Sequence, residues 1–236
     1  MDDFMPTAAD FDAGRVTNPQ QSEVLKARYY DWLLYATAGA TVMNFFSTAI
    51  GQGFATALGS TAGTPKTKAD TNLVLPNQLP SGVEFLIDSI EVQFLPGSVS
   101  TANTYTPAAI SVFNAAAAAA VLGALNDVNT ILQSGVLTLT VLNKNYVVDG
   151  PLYAFPPKTY IEHTSAIATN SATVGEVAAG NARAMGRPWY VQPKITLQPA
   201  VNFNVKIEWP GVVATPSGFN GRIGVILDGF EMRASQ

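Results

Sequence analysis

The chain has 236 residues and a mass of 24.9 kDa, with 13 Lys and Arg, 17 Asp and Glu, one His and no Cys. Without cysteine there is no disulfide framework, thiolate metal site or cysteine nucleophile, and the single imidazole, His163, excludes metal centres built on two histidines. The net charge of −4 and lack of a basic cluster argue against broad phosphate-backbone binding, and a charged share of 13%, about half the usual value, suits faces that meet neighbours.

Residues 1–22 are polar and aperiodic. They carry Asp2, Asp3, Asp10 and Asp12 with no Lys or Arg before Arg15, and hold two isolated anchors, Phe4 and Phe11. The expectation is an extended acidic arm, neither a secretory signal nor a basic genome-binding arm. Glu23–Arg28 is compatible with a short helical turn. Tyr30–Ala36 and Val42–Ser47 are short aromatic runs around Ala38-Gly39-Ala40-Thr41 and read as two strands and a loop, with a helix over the first run left open. Residues 51–81, punctuated by Gly51, Gly53, Gly59, Gly63, Pro65, Pro76 and Pro80, read as a long ordered loop.

In Val83–Phe94 the apolar residues occupy odd positions to Ile87 and even positions from Ile90. A one-residue slip at Asp88-Ser89 predicts a β-bulge. A helix is predicted from Thr106-Pro107 to Leu125, with Thr106 as cap, Pro107 at the first helical position and a stripe of Ile110, Phe113, Ala117, Val121 and Leu125. Val136–Leu142, a turn at Asn143-Lys144-Asn145 and Tyr146–Val148 form a predicted hairpin. Residues 161–188 read as a second long loop. Val191, Ile195 and Leu197 alternate with polar residues, and Pro193 places that strand at an edge. Val201–Trp209 alternates without fault, and the last strand, from Arg222, slips phase at Asp228-Gly229 before Phe230 and Met232. No repeat or linker divides residues 23–236, so the expectation is one all-β sandwich domain of about eight strands with one inserted Ala-rich helix.

Signals of chemistry are sparse. His163, between Glu162 and Thr164, reads as a solvated loop residue, since no nucleophile elbow accompanies it and Ser98 is only half such a motif. Glu84, Asp88 and Glu91 read as solvated side chains on a half-buried strand. Gly51-Gln52-Gly53 lacks the strand-to-helix context of a phosphate loop. The expectation is therefore no enzyme, cofactor or metal. Trp32, Trp189 and Trp209 offer a sugar-stacking alternative, but Trp209 is in phase with Val205 and Ile207 and belongs to the core. Trp189 and Tyr190, following Gly186-Arg187-Pro188, join Phe4 and Phe11 as the candidate subunit-contact residues. No apolar stretch is long enough for a membrane helix, and the Ala-rich helix has no basic residue for a membrane surface.

Val201–Trp209 with Pro210-Gly211, then Gly221–Arg233, and Leu75–Pro80 leading into Val83–Phe94, resemble jelly-roll coat proteins of tailless icosahedral bacterial viruses. The resemblance implies an eight-stranded jelly roll of two Greek keys and a major capsid protein that self-assembles into capsomers and a shell. The protein would be made in the host cytoplasm and located in the virion. Its implied partners are further copies of itself, other virion proteins and an internal membrane. Many such coat proteins carry a basic arm, and this arm is acidic, so direct nucleic-acid binding is not expected. The alternative is a carbohydrate- or receptor-binding sandwich.

Overall fold

The structure, a computed structural model, describes residues 22–52, 65–96, 126–158, 160–168, 175–183 and 188–234. Ten strands are found there: β1 (Ser22–Tyr35), β2 (Ala40–Phe45), β3 (Val83–Leu95), β4 (Val136–Val141), β5 (Lys144–Pro151), β6 (Tyr160–Ala168), β7 (Gly175–Arg183), β8 (Trp189–Leu197), β9 (Phe203–Val213) and β10 (Gly221–Ala234). A helix, α1, covers 126–134. Eight strands form two four-stranded sheets, β1-β10-β3-β8 (sheet A) and β2-β9-β4-β5 (sheet B), and β6 pairs only with β7. All named pairings are antiparallel. The first sheet strand pairs with the last, β2 with β9, β3 with β8 and β4 with β5. Apart from the β4–β5 hairpin and the inserted β6–β7 ribbon, each connection crosses from one sheet to the other.

Alternation explains sheet B. In β9, Phe203, Val205, Ile207 and Trp209 are buried while Asn204, Lys206 and Glu208 are half-buried on the opposite side. They pack against Leu137, Leu139 and Val141 of β4 and, across the sandwich, against Ile223, Val225 and Leu227 of β10 in one core. Trp209 is in that core as expected, and its indole N–H donates to the Ile131 carbonyl of α1 at 3.1 Å. The bulge expected in β3 is present: Ile87 and Ser89 pair with consecutive residues Gly229 and Asp228, leaving Asp88 as the extra residue. The slip in β10 has a different cause. β10 runs in unbroken register with β1, and Phe230 and Met232 face outward to form a small second cluster with Leu86.

Several expectations are corrected. Glu23–Arg28 is strand rather than helical turn, because β1 begins at Ser22 and pairs through Tyr35 with β10. Residues 161–188 are not one loop: β6 and β7 pair from Tyr160↔Arg183 to Ala168↔Gly175, a ribbon of small residues without alternating hydrophobicity. The β4–β5 turn is Leu142-Asn143, because Val141 pairs with Lys144. Of the arm expected over 1–22, Ser22 is instead the first residue of β1, and residues 1–21, like the helix expected over 106–125, lie outside the described residues. The tight β1–β2 connection needs Gly39, whose φ is +83° and where a Cβ would stand 2.3 Å from the Val213 carbonyl oxygen.

Candidate functional site

The two sheets have different outer surfaces. On sheet A the bulge gathers charge. Asp228, with no exposed side-chain surface, accepts from Arg28 Nε at 3.2 Å and from Lys158 Nζ, and lies 3.7 Å from Lys26 Nζ. Glu91 accepts from the Lys158 backbone N–H at 3.0 Å and lies 3.5 Å from its ammonium. Glu84 accepts from Gln198 Nε2 at 2.8 Å. Glu84 and Glu91 are thus buried, not solvated as the strand pattern suggested: Glu84 lies against Gln198, and the 155–158 segment folds over Glu91, with the Phe155 carbonyl accepting from Val92 N–H at 2.9 Å. Further along, Trp32 lies over Gly224 and carries the Arg222 guanidinium 4.4 Å from its ring centroid.

The free side of β1 is closed by residues 66–73. Trp32 N–H donates to the Asp70 carbonyl at 2.7 Å, Asp31 bridges Thr71, and Asn72 exchanges hydrogen bonds with Tyr30 N–H and the Arg28 carbonyl. A buried ion pair anchors this segment. Lys66 Nζ donates to Asp31 Oδ1 at 2.6 Å, and the other carboxylate oxygen accepts from Phe46 N–H at 2.7 Å. Burial raises the Asp31 carboxyl above its ordinary value, opposed by the Lys66 charge and by these hydrogen bonds. The Tyr29 phenol is likewise raised, by burial and by the neighbouring Glu231 carboxylate that accepts its proton at 2.9 Å.

The other edge of sheet A, β8, carries Pro193, which has no N–H, and between Tyr190 and Ile195 it bows away from β3. Pro193 is thus on an edge, as expected. In sheet B the edge strand β2 is six residues long with a register shift between Ala40 and Val42. Short, bulged or covered edges are how β-proteins avoid adventitious strand pairing. The remaining edge of the two sheets, β5, is also shifted in register against its neighbour, at Leu137/Leu139 and Leu139/Thr140 of β4. Only Val147 of its first five residues is buried, and no described strand lies beyond it.

The β4–β5 hairpin concentrates exposed apolar surface: Leu142 is 64%, Tyr146 45% and Val148 62% exposed. Leu142 also has φ +53°, at a turn position that favours glycine. Phe46, Asn77 and Ala200 are left-handed as well, and hydrogen bonds gather all four at one end of the sandwich. Asn77 N–H donates to the Phe46 carbonyl, Phe203 N–H to the Asn77 carbonyl, Ala200 N–H to the Leu79 carbonyl, and Leu142 N–H to the Asn202 carbonyl. Such backbone costs about 1–3 kcal/mol per residue and recurs at functional surfaces. The outer face of sheet B behind the hairpin is neutral or weakly charged: Thr138, Thr140, Asn204, and one ion pair, Lys206–Glu208, at 2.8 Å.

Of the expected contact residues, Tyr190 is exposed and Trp189 is half-buried with its ring against Phe155 at 5.3 Å. Phe4 and Phe11 lie outside the described residues. The three tryptophans are apart in function: Trp209 in the core, Trp32 over Gly224 and Trp189 against Phe155. His163 lies on β6, opposite Gly180. Among the described residues no group of three or more His, Asp or Glu could hold a metal ion, and no helix is long and apolar enough to cross a membrane. Leu142, Tyr146 and Val148 were missed as contact candidates; the available signal was a strand rich in β-formers ending in a turn without glycine. The chain matches no known protein-family model, no curated protein and no solved structure.

Proposed function

We propose that the chain is a jelly-roll coat subunit, the major capsid protein of a tailless icosahedral bacterial virus, which self-assembles into capsomers and a shell. The observation that carries this reading is the strand order. Pairing first with last, second with ninth, third with eighth and fourth with fifth is one long hairpin rolled into two facing sheets, the winding of a jelly roll. That winding also occurs in lectins and cupins, so the surface must decide. A charged share of 13% and a neutral, open sheet B support a subunit enclosed by neighbours. A sugar platform would need clustered exposed aromatics, and the tryptophans are instead used in packing. In this reading the partners are further copies, other virion proteins and an internal membrane; the acidic arm disfavours nucleic acid, and no catalysis is assigned.

Light scattering at two concentrations, with negative-stain images of the same full-length sample, tests this. Capsomer-sized oligomers or closed particles are expected. A concentration-independent mass of one 24.9-kDa chain, with no particles, would overturn it.

A further inference from the structure

The edge of sheet B carries a specific contact. We infer that β5 is an interface for a second copy of this chain, pairing antiparallel with the β5 of its neighbour about a two-fold axis. The inference rests on the self-assembly reading and names the surface through which part of that assembly occurs.

Three observations converge on it. An edge strand directs half of its backbone N–H and C=O groups outward, and another strand is their natural complement. Elsewhere in the two four-stranded sheets, β1 is covered from Arg28 to Trp32 by the segment that Lys66 anchors, β8 carries Pro193, and β2 is short and bulged. β5 is shifted in register against β4 on its inner side, with Tyr146 the extra residue between Asn145 and Val147, but no described strand pairs with its outer side, and the special backbone at Asp149, with φ +48°, begins only after Val148.

Secondly, Tyr146 and Val148 flank the inward-facing Val147 and leave large apolar surfaces exposed, with Leu142 at the adjoining tip. Aromatic and β-branched residues are good cross-strand partners. A two-fold register centred on Val147 sets Tyr146 opposite the partner's Val148, so each copy covers the exposed apolar group of the other.

Thirdly, the ends of the strand are complementary in charge. Antiparallel pairing runs the Lys144 end of one copy against the Asp149 end of the other, twice over. A self-complementary patch of this kind is what an isologous contact requires.

The test uses the full chain and the double variant Tyr146→Lys/Val148→Lys, which places charge on an edge at positions already exposed. Val148→Lys alone serves if the double variant does not fold. Wild type is expected to assemble, with slowed hydrogen exchange at the amides of residues 144–148. The variant should keep its circular dichroism and lose both the β5–β5 contact and the exchange protection. If wild type assembles and the variant assembles and protects these amides equally well, the β5 pairing is wrong while the coat reading stands. A wild type that stays monomeric at both concentrations sinks the coat reading together with this one. If deleting residues 1–21 exposes the same amides, the arm occupies the edge, and pairing with a second β5 is overturned.

Discussion

The central strands of the two sheets differ in a way that separates scaffold from surface. β3 and β10 in sheet A are buried on both faces over most of their length, whereas in sheet B this holds only for Leu137–Leu139 of β4, and β9 alternates strictly between buried and half-buried from Phe203 to Trp209. A strand buried on both faces lies inside a finished structure; a strand buried on one face leaves the other for solvent or a partner. Sheet A is therefore the more enclosed side of this molecule, with Glu91 and Asp228 held under Lys158, and in the proposed reading sheet B is the side that meets neighbours.

The largest expected effect removes the core that both sheets share. Phe203→Asp puts an unpaired carboxylate among Phe46 and its neighbours, a penalty comparable to the whole stability of a domain, about 5–15 kcal/mol. Loss of cooperative unfolding by circular dichroism is expected, and a folded Phe203→Asp chain would show that β9 faces the other way.

Lys66→Ala tests the anchor of the closed side. It leaves Asp31 buried without its counter-ion and should cost about 3–5 kcal/mol in urea unfolding, with most of the loss recovered in Lys66→Met/Asp31→Leu. The same group predicts a pH dependence. Because burial raises the Asp31 carboxyl, the folded chain holds this proton at higher pH than the unfolded chain does. Its contribution is whole below the unfolded carboxylate value and is lost as pH rises through the folded one. The stability of wild type relative to Asp31→Asn should fall over that window, and a difference that does not change with pH would assign Asp31 an unshifted carboxyl.

A matched pair of glycines sharpens the contrast. At Gly224 a Cβ would meet the Trp32 ring at 2.4 Å, so Gly224→Ala should destabilise by about 1–3 kcal/mol. At Gly211, near the end of β9, nothing lies within 4 Å, and Gly211→Ala should stay within about 0.5 kcal/mol. Equal midpoints for the two variants would remove the distinction between the sheets. Smallest of all, Lys206→Ala on the open face breaks an exposed pair and should change the unfolding free energy by no more than about 0.5 kcal/mol.

What the sequence made legible was what repeats along the chain. The alternation of Phe203 to Trp209 specified β9 and its inward face, and the phase slip at Asp88 specified the bulge. The β6–β7 ribbon was illegible because Ala, Ser, Thr and Gly carry no contrast for a period of two to act on. The start of β1 was misread because Val24, Lys26 and Arg28 mix apolar and charged residues on its outer side. The same outer face of sheet A hides Glu91 and Asp228, whose burial depends on Lys158 arriving from a distant part of the chain. Open edges were equally invisible, since an edge is defined by what is missing beside it in space, not by the residues it contains.

The segment anchored by Lys66 has a consequence for growth. Filaments form when every added unit presents a fresh site like the one just used. With β1 covered from Arg28 to Trp32, the proposed β5 pairing would consume the site of each unit that docks, so that mode of addition would terminate at a pair. Under that proposal any larger object would be built through chemically different contacts, and a pair with a fixed two-fold would suit a closed surface rather than a fibre.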